Sequence, residues 1–318
     1  MIPAAWLKDA QSRLAATIRV TPLTYDPENK LYIKWENQQV TGSFKLRGAL
    51  NKILSLQPWE IGQGIVAASA GNHGQGVALA SRMTGARSIV FASENAVPAK
   101  IQAMKDLGAD VRLVPGGYGE AEKAAIEFAT SSGAAWVSPY NDGQIIAGQG
   151  TLALEVLAQL PEAAHFTWLV PAGGGGLLAG IGAALRADQE KGEPATLIGV
   201  QSTASPFMYQ IYHSGTQDGV LELPSLADGL SGPVEAGSLT IPLIRKYCDD
   251  FVLVTEEEIR SAIRYAWQRY GERIEGSGAV TLAAALTGKV SARPAVVIIS
   301  GGNIQAELLQ QIVSETTI

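Results

Sequence analysis

The sequence predicts an α/β protein built as two doubly wound, open-sheet lobes with a ligand site in the cleft between them. Two observations lead to this prediction. Short apolar segments rich in β-forming residues alternate with helix-forming segments along most of the chain, which is typical of parallel sheets covered by helices. A length of 318 residues is also enough for about two lobes with large cores.

The alternation defines the predicted elements in order. The chain begins with a helix over 4–18, a strand over 31–36 and a helix over 46–55. A first repeat then has strands over 64–69, 88–92, 110–114 and 135–138, with helices over 73–83, 98–107 and 118–131. A second has strands over 166–172, 196–200, 251–254 and 295–299, with helices over 149–159, 177–190, 241–247, 256–270, 277–287 and 304–314. Residues 202–240, rich in Ser, Gly and Pro, are predicted to be irregular and to line the cleft or cross the surface.

From this order we assign residues 58–145 to a small domain and residues 1–57 with 146–318 to a large, cofactor-binding domain. Glycines follow three of the predicted helices of the small domain, where helices commonly end in a left-handed residue. They are Gly85, Gly108 and Gly133.

Composition excludes several classes of partner. The formal net charge is −6 with no basic block, which disfavours nucleic acid, and no apolar run reaches the ~18 residues of a membrane span. Charged residues interrupt the first helix, so we do not interpret it as a signal peptide. The single Cys248 excludes an internal disulfide framework, and the three histidines are too far apart for metal-ligand spacing. We expect a soluble, cytoplasmic protein without a metal.

Four consecutive glycines, Gly173–Gly176, follow a predicted buried strand and precede a predicted helix. Such a loop lets several backbone N–H groups converge on one anion beside the positive end of a helix. A Walker A loop would need Lys and then Ser or Thr where Leu177 and Leu178 stand. A dinucleotide loop would need Gly at Leu178 and an acid at Gln201. A compact phosphate monoester fits better, and a purely structural glycine turn is the alternative.

Lys45 stands at the start of the helix predicted over 46–55, beside Phe44. A cation is disfavoured at a helix N-terminus, so this position lowers the pKa of the amine and favours the neutral form that a Schiff base requires. A solvated surface lysine is the alternative interpretation. Only the neighbouring motifs favour the reactive one.

Three polar or glycine-bearing loops directly follow predicted strands: Ser69–Gly74, Gly173–Gly176 and Ser300–Asn303. Ligands of open α/β sheets bind at the carboxyl ends of the strands. The loop at Ser69–Gly74 also opens a helix, which suits a carboxylate, although ordinary turn chemistry explains it equally well. With Lys45, these loops predict a site for one phosphorylated ring and one carboxylate.

Five segments carry a resemblance to a known family: SFKLRGA around Lys45, SAGNHGQGVA from Ser69, AGQGTLALEV from Ala147, PAGGGGLLAGI from Pro171 and SGGN from Ser300. Together and in this order they resemble the fold-type II pyridoxal-phosphate (PLP) enzymes, which share the fold of the tryptophan synthase β-subunit. The likeness covers residues 3–310 and is greatest to the branch of serine/threonine dehydratases (threonine ammonia-lyases) and serine racemases. Cysteine synthases are similar but carry Thr where His73 stands.

The resemblance implies roles for individual residues. Lys45 would be covalently attached to PLP, with Phe44 packed near the ring, Asn72 bonded to the ring hydroxyl and Ser300 facing the ring nitrogen. The 5′-phosphate would be held by Gly173, Gly174, Gly175 and Gly176. The substrate would contact Ser69, Ala70, Gly71, Asn72 and His73, and also Asn141 and Glu275.

The implied reaction is removal of water and ammonia from L-threonine or L-serine, giving 2-oxobutyrate or pyruvate. Lys45 would remove the α-proton, and a neutral Ser300 would not hold the ring nitrogen protonated, which favours β-elimination over transamination. Racemase-type members carry Ser where Ala70 stands, so we expect dehydration rather than racemisation. Some members bind a divalent cation through an acid where Gln201 stands, so we expect no metal here.

The resemblance also implies a homodimer acting on a small amino acid, without the C-terminal regulatory domain of the biosynthetic threonine dehydratases. Three alternatives stay open. The enzyme could act on another β-hydroxy amino acid such as 3-hydroxyaspartate or a bulkier β-substituted serine, with the undeciphered segment 201–219 as the place for such a difference. It could be a serine racemase. A non-catalytic binding protein on the same scaffold is the third, which the presence of Lys45 disfavours.

Overall fold

The computed structural model describes residues 1–187 and 194–315. Its strands, in chain order, are β1 (Leu23–Asp26), β2 (Leu31–Trp35), β3 (Ile65–Ala68), β4 (Ser88–Ser93), β5 (Asp110–Val114), β6 (Ala135–Trp136), β7 (Thr167–Pro171), β8 (Thr196–Ser202), β9 (Asp250–Val254) and β10 (Ala295–Ile299). Its helices are α1 (Ala4–Leu14), α2 (Lys45–Leu54), α3 (Pro58–Gln63), α4 (Asn72–Thr84), α5 (Pro98–Asp106), α6 (Tyr118–Ser132), α7 (Gly143–Gln159), α8 (Gly176–Ala187), α9 (Phe207–Ser214), α10 (Thr240–Tyr247), α11 (Glu256–Tyr270), α12 (Gly276–Leu286) and α13 (Ala306–Ser314).

These strands form two sheets. The larger has six strands in the order β1-β2-β10-β7-β8-β9, and the smaller has four in the order β5-β4-β3-β6. Every neighbouring pair is parallel except β1 with β2, which is antiparallel. Strands such as β7 and β10 are buried at every residue, which explains why they read as continuous apolar runs rather than alternating ones. The predicted two-sheet α/β fold is confirmed.

Helix α2 lies between α4, which covers the small sheet, and α7, which covers the large one. Glycines make this close approach possible. A Cβ on Gly148 of α7 would stand 2.7 Å from the carbonyl oxygen of Arg47, and one on Gly76 of α4 would stand 3.2 Å from the carbonyl carbon of Lys45. The backbone of Lys45 is therefore fixed between the two sheets by the packing of three helices.

The structure also contains elements that the sequence did not predict. Strand β1 was not predicted, because its four residues, which range from buried to exposed, carry too short a pattern to recognise. Helix α9 lies within 202–240, which was wrongly predicted to be irregular throughout. Its apolar residues Phe207, Met208 and Ile211 pack on the core, but Ser and Pro before it and Gly after it gave a loop-like composition.

Other helices differ from the prediction as well: α1 ends at Leu14 rather than at residue 18, and α3 was not predicted. Helix α7 begins at Gly143, six residues before the predicted start, because the Asp142 carboxylate accepts hydrogen bonds from the N–H groups of Gln144 (2.7 Å) and Ile145 (3.1 Å). Helix α3 begins with Pro58, a position that suits proline. Residues 188–190, predicted to end the helix over 177–190, lie outside the described residues.

Candidate active site

The predicted site loops follow the strands of both sheets at their carboxyl ends. Ser69 follows β3, Gly173–Gly176 follow β7 and Ser300 follows β10, which is the parallel neighbour of β7. The segment before α2 joins this edge, because the N–H of Phe44 donates to the carbonyl oxygen of Ser300 at 3.0 Å. The chain therefore brings the lysine segment and two of the three loops to one edge of the large sheet.

Lys45 is the first residue of α2, as predicted. Its Nζ donates a hydrogen bond of 2.9 Å to the carbonyl oxygen of Pro139 and lies 5.2 Å from the centre of the Phe44 ring. Burial lowers the pKa of the amine to about 8, against an opposing contribution from the negative charge of Glu275. This lowered pKa brings the neutral, nucleophilic amine within reach near physiological pH. The sequence predicted a lowered pKa from the position of Lys45 at a helix N-terminus. In the structure, desolvation of the amine is the main cause of the lower pKa.

The glycine loop is a cradle that side chains would fill. A Cβ on Gly174 would stand 2.3 Å from the ring of Tyr140, one on Gly173 would stand 2.9 Å from Leu230, and Gly175 has a φ of +86°. The Thr240 hydroxyl fixes the loop by donating to the carbonyl oxygen of Gly174 at 2.7 Å.

The N–H groups of this loop remain available to a ligand. Within the described part of the chain, none of those from Gly173–Gly176 donates to a protein acceptor, and helix α8 begins at the last of the four. Free N–H groups at the N-terminus of a twelve-residue helix fit a phosphate monoester. The residues present therefore fit the phosphate group that the sequence predicted.

Tyr140 links the glycine loop to the lysine. It follows Pro139, whose carbonyl oxygen accepts from Lys45; its ring packs against Gly174, and its Cβ and backbone lie against Gly176. One turn after β6 thus contacts both the amine and the loop. Sequence reasoning did not single out Tyr140, although a residue just beyond a predicted strand could have been found by the same rule that identified the other loops.

A second set of polar side chains is bonded to Asn72, at the start of α4. The Asn72 amide donates to Glu275 Oε1 at 2.6 Å and its Oδ1 accepts from the Asn303 amide at 2.7 Å. Glu275 is 7% exposed and stands at the N-cap position of α12 without making a capping bond, so it is neither a surface residue nor a cap. Burial raises its pKa to about 7, and the negative charge of Asp228 adds to that rise.

The loop that opens α4 has the features of a carboxylate site. Its N-terminus has no side-chain cap, which leaves N–H groups of Asn72 and His73 without a capping side chain. The Ser69 hydroxyl accepts from the N–H of Gly71 at 3.0 Å. His73 is buried, its Nε2 donates to the carbonyl oxygen of Val137 at 2.9 Å, and burial lowers its pKa to about 3. The imidazole is therefore neutral and anchors the loop.

The remaining predicted residues lie at different distances from this centre. The Ser300 hydroxyl is buried and makes a long hydrogen bond of 3.4 Å to the carbonyl oxygen of Ser277. Asn141 is directed elsewhere, since its amide donates to Glu235 at 2.8 Å and accepts from the N–H of Leu239 at 2.9 Å. It ties the Tyr140 turn to the segment before α10. Ala70 lines a cavity beside Ser69.

A buried hydroxyl near the lysine lacks a partner. Ser43 Oγ is fully buried and makes no hydrogen bond to any described residue, while its backbone pairs with Gly301. Buried polar groups without partners are rare in proteins and often mark a ligand position. This hydroxyl stands two residues before Lys45, so it supports a polar group bound in the same cleft.

The described residues form neither a metal cluster nor a membrane-spanning helix. Across residues 1–187 and 194–315, no group of three or more His, Cys, Asp and Glu side chains is placed to hold a metal ion. In the same ranges, no helix combines the length and apolar character needed to span a membrane.

A lysine with a lowered pKa, a phosphate cradle and two polar loops at the edge of a parallel sheet define a site for a phosphorylated aldehyde cofactor. Residues 14–301 match the family model described as pyridoxal-phosphate dependent enzyme, and the chain belongs to this family. It is a PLP enzyme of fold type II.

Within this family, the chain is similar to threonine ammonia-lyases and serine racemases. The chain is 38% identical to the L-threonine ammonia-lyase of Thermotoga maritima over 322 residues, which covers 99% of this chain and 79% of that protein. It superimposes on the structure of maize serine racemase with a TM-score of 0.89 at 29% identity, covering 97% and 96% of the two chains. It superimposes on the processed threonine deaminase isoform 2 of Solanum lycopersicum with a TM-score of 0.88 at 29% identity, covering 98% and 93%.

Proposed function

We propose that this protein is a PLP-dependent dehydratase that converts L-threonine and L-serine to 2-oxobutyrate and pyruvate with release of water and ammonia. The observation that carries the proposal is the contact of the Lys45 amine with the Pro139 carbonyl oxygen, one residue from the ring that packs on the glycine loop. The 38% identity to an L-threonine ammonia-lyase supports the same reaction.

The cleft offers a place for each part of the cofactor. In this proposal Lys45 binds it covalently, the N–H groups of Gly173–Gly176 hold its phosphate, and Asn72 donates to its ring hydroxyl. Phe44 packs near the ring, and Ser300 offers a neutral hydroxyl to the ring nitrogen. When bound, PLP supplies the electron sink that stabilises negative charge at the substrate Cα.

Lys45 and the loop before α4 divide the work on the substrate. The loop from Ser69 to His73 binds the carboxylate through its free N–H groups, those of Ala70, Asn72 and His73, which fixes the orientation of Cα toward the lysine. Once freed from the cofactor, the Lys45 amine takes the α-proton at Nζ, and its pKa of about 8 suits a general base near neutral pH. Asn141 and Glu275 act at the edges of this site, Glu275 through its bond to Asn72.

Dehydration is favoured over racemisation by Ala70. Racemisation requires a proton donor on the face of Cα opposite the lysine, and a methyl group carries no such proton. The neutral Ser300 also leaves the ring nitrogen without a counter-charge, which favours early loss of a β-leaving group. Serine racemase stays the second candidate because of the similarity to the maize enzyme.

We extend the proposal to the organisation of the protein. The small sheet, built from residues 65–136, supports a small domain over 58–145, with 1–57 and 146–318 forming the large, PLP-binding domain. The family resemblance leads us to propose a homodimer. A lone, buried Cys248 is compatible with the reducing cytoplasm. Light scattering and limited proteolysis near residues 57 and 146 test the first two statements.

The decisive experiment measures keto acid and ammonia from L-threonine, L-serine, D-serine and both 3-hydroxyaspartates. We expect turnover of the first two amino acids. We expect that Lys45→Ala abolishes turnover and the visible absorption of the bound cofactor while the circular dichroism spectrum stays unchanged. Keto acid from hydroxyaspartate alone would overturn the substrate assignment, and activity retained by Lys45→Ala would overturn the mechanism.

A further inference from the structure

A cavity of about 250 Å³ opens beside the loop proposed to bind the substrate carboxylate. Ser69 and Ala70 form one side of it, so it begins where that loop begins. The rest of the wall comes from β4, the turn after it and the first turns of α6. Apart from three polar residues it is apolar, with Phe91, Ala96 and Ala121 among its members.

A larger cavity of about 520 Å³ lies on the other side of α5. It is lined by charged and amide side chains, including Lys100, Arg273 and Gln75, and it does not include the residues from Ser69 to Gly71. An amino acid held by its carboxylate at Ser69–His73 must place its side chain beside that loop. The smaller cavity adjoins the loop directly and is the more apolar of the two.

Tyr118 closes the outer wall of the smaller cavity. It is the first residue of α6, and its hydroxyl donates to Glu122 Oε1, one turn later, at 2.8 Å. Tyr118 is half-exposed, and partial desolvation raises the pKa of its hydroxyl, with the negative charges of Glu122 and Glu235 adding to the rise, so the hydroxyl keeps its proton. The backbone N–H of Glu235 also donates to the Tyr140 hydroxyl at 3.0 Å. Glu235 therefore lies at the Tyr140 turn.

We propose that this cavity is the subsite for the β-substituent of the substrate and that it takes uncharged, apolar substituents up to the size of a phenyl ring. Cavities of about 150 Å³ with apolar walls already accept benzene, so the volume is sufficient. Glu122, which is bonded to the lining residue Tyr118, carries a negative charge that repels an acidic substituent such as that of 3-hydroxyaspartate. This inference rests on the proposed function, because it assumes that an α-amino acid binds at Ser69–His73.

Unreactive amino acids test the subsite without turnover. L-2-Aminobutyrate, L-phenylalanine and L-aspartate carry the β-substituents of threonine, phenylserine and 3-hydroxyaspartate without the β-hydroxyl. Calorimetry on the PLP-loaded enzyme measures their dissociation constants. We expect L-phenylalanine to bind at least as tightly as L-2-aminobutyrate and L-aspartate to bind at least tenfold more weakly, with L-threo-phenylserine giving keto acid.

Two leucine substitutions separate the two cavities. Ala96 lines the smaller cavity, and Ala99, one turn later, lines the larger one. We expect Ala96→Leu to weaken binding of L-phenylalanine relative to L-2-aminobutyrate at least tenfold, and Ala99→Leu to leave that ratio unchanged. Thermal denaturation of both variants verifies folding. A ratio that responds to Ala99→Leu and not to Ala96→Leu would overturn the proposal.

The repulsion of acidic substituents by the Glu122 charge is tested by Glu122→Gln. This substitution removes the charge and keeps a hydrogen-bond acceptor for the Tyr118 hydroxyl. We expect L-aspartate to bind at least fivefold more tightly relative to L-2-aminobutyrate than in the wild type, and an unchanged ratio would overturn the role of Glu122. Turnover of threonine with exclusion of L-phenylalanine would refute the subsite and spare the proposed function. Binding in the expected order without keto acid from any substrate would refute the function and spare the subsite.

Discussion

Lys45 and Arg47 are cations two residues apart on α2, and only Arg47 is paired with carboxylates. Residues at this spacing project from different sides of a helix. Arg47 is 1% exposed, and its guanidinium makes two hydrogen bonds of 2.8 Å to Glu36 and one of 2.9 Å to Glu155. Lys45 has no carboxylate within ion-pair distance among the described residues and donates to one carbonyl oxygen.

The pKa values of the two cations move in opposite directions. Burial by itself disfavours both charges, but two carboxylates more than compensate for it at Arg47, so its pKa is raised. At Lys45 the compensation is one distant carboxylate, and the pKa falls to about 8. Lys34 completes the paired group, since its Nζ lies 2.6 Å from Glu155. One side of α2 therefore anchors the helix by a buried ion network, while the other presents a reactive amine.

Breaking the network should have the largest effect. We expect Arg47→Ala to lower the free energy of unfolding by about 3–5 kcal/mol, because it leaves the fully buried Glu36 without its cation and removes one of the two cations that pair with Glu155. Urea denaturation of the cofactor-free protein measures the change. Lys52→Ala is the matched control on the same helix, since Lys52 pairs with Asp142 near the surface and its loss should cost less than about 1 kcal/mol. Equal losses of stability in Arg47→Ala and Lys52→Ala would contradict a special role of the buried ion network.

Removing the unpaired cation should have the opposite sign. We expect cofactor-free Lys45→Met to be more stable than the cofactor-free wild type by about 3 kcal/mol at pH 7, because folding shifts the lysine pKa from 10.5 to about 8. Above pH 10.5 the amine is neutral in both states and the advantage vanishes. As the pH falls from 10.5 to 8, the unfolded wild type takes up the proton first, so the folded wild type loses stability there.

Denaturation curves of both proteins from pH 7 to pH 10.5 test this window. The difference between wild type and Lys45→Met should shrink steadily as the pH rises and stay constant below pH 8. A variant less stable than the wild type at pH 7 would mean that the amine is satisfied in the folded protein.

The smallest effect concerns the charges around Glu275. Lys100 on α5 and Asp228 form an exposed ion pair of 2.9 Å. We expect Asp228→Asn to change stability by less than about 1 kcal/mol but to lower the pKa of Glu275, because the Asp228 charge helps to raise it. Titration of the Glu275 carboxyl by NMR measures the shift. Asp110→Asn, which breaks an exposed pair with Arg112, is the control and should leave that pKa unchanged.

Much of the site could be predicted because each part carries a local signal. Four glycines between an apolar strand and a helix predict a phosphate cradle, and the motifs that accompany Lys45 at a helix start predict a reactive amine. Tyr140 was missed because it lacks the glycines that drew attention to the other loops, although its position just beyond a predicted strand was a usable signal. Asn141 stays a predicted substrate contact, and the sequence could not show that its amide is bonded to Glu235 and Leu239, which are distant in sequence.

By itself the sequence determined the α/β class, the order of most strands and helices, and the loops that follow the strands, because periodicity, glycine and helix ends act over a few residues. Only the tertiary structure decided how deep Lys45 lies, that Glu275 is buried beside Asn72, and that Arg47 is paired while Lys45 is not. Desolvation and charge pairing depend on groups brought together from distant parts of the chain, and no local pattern encodes them.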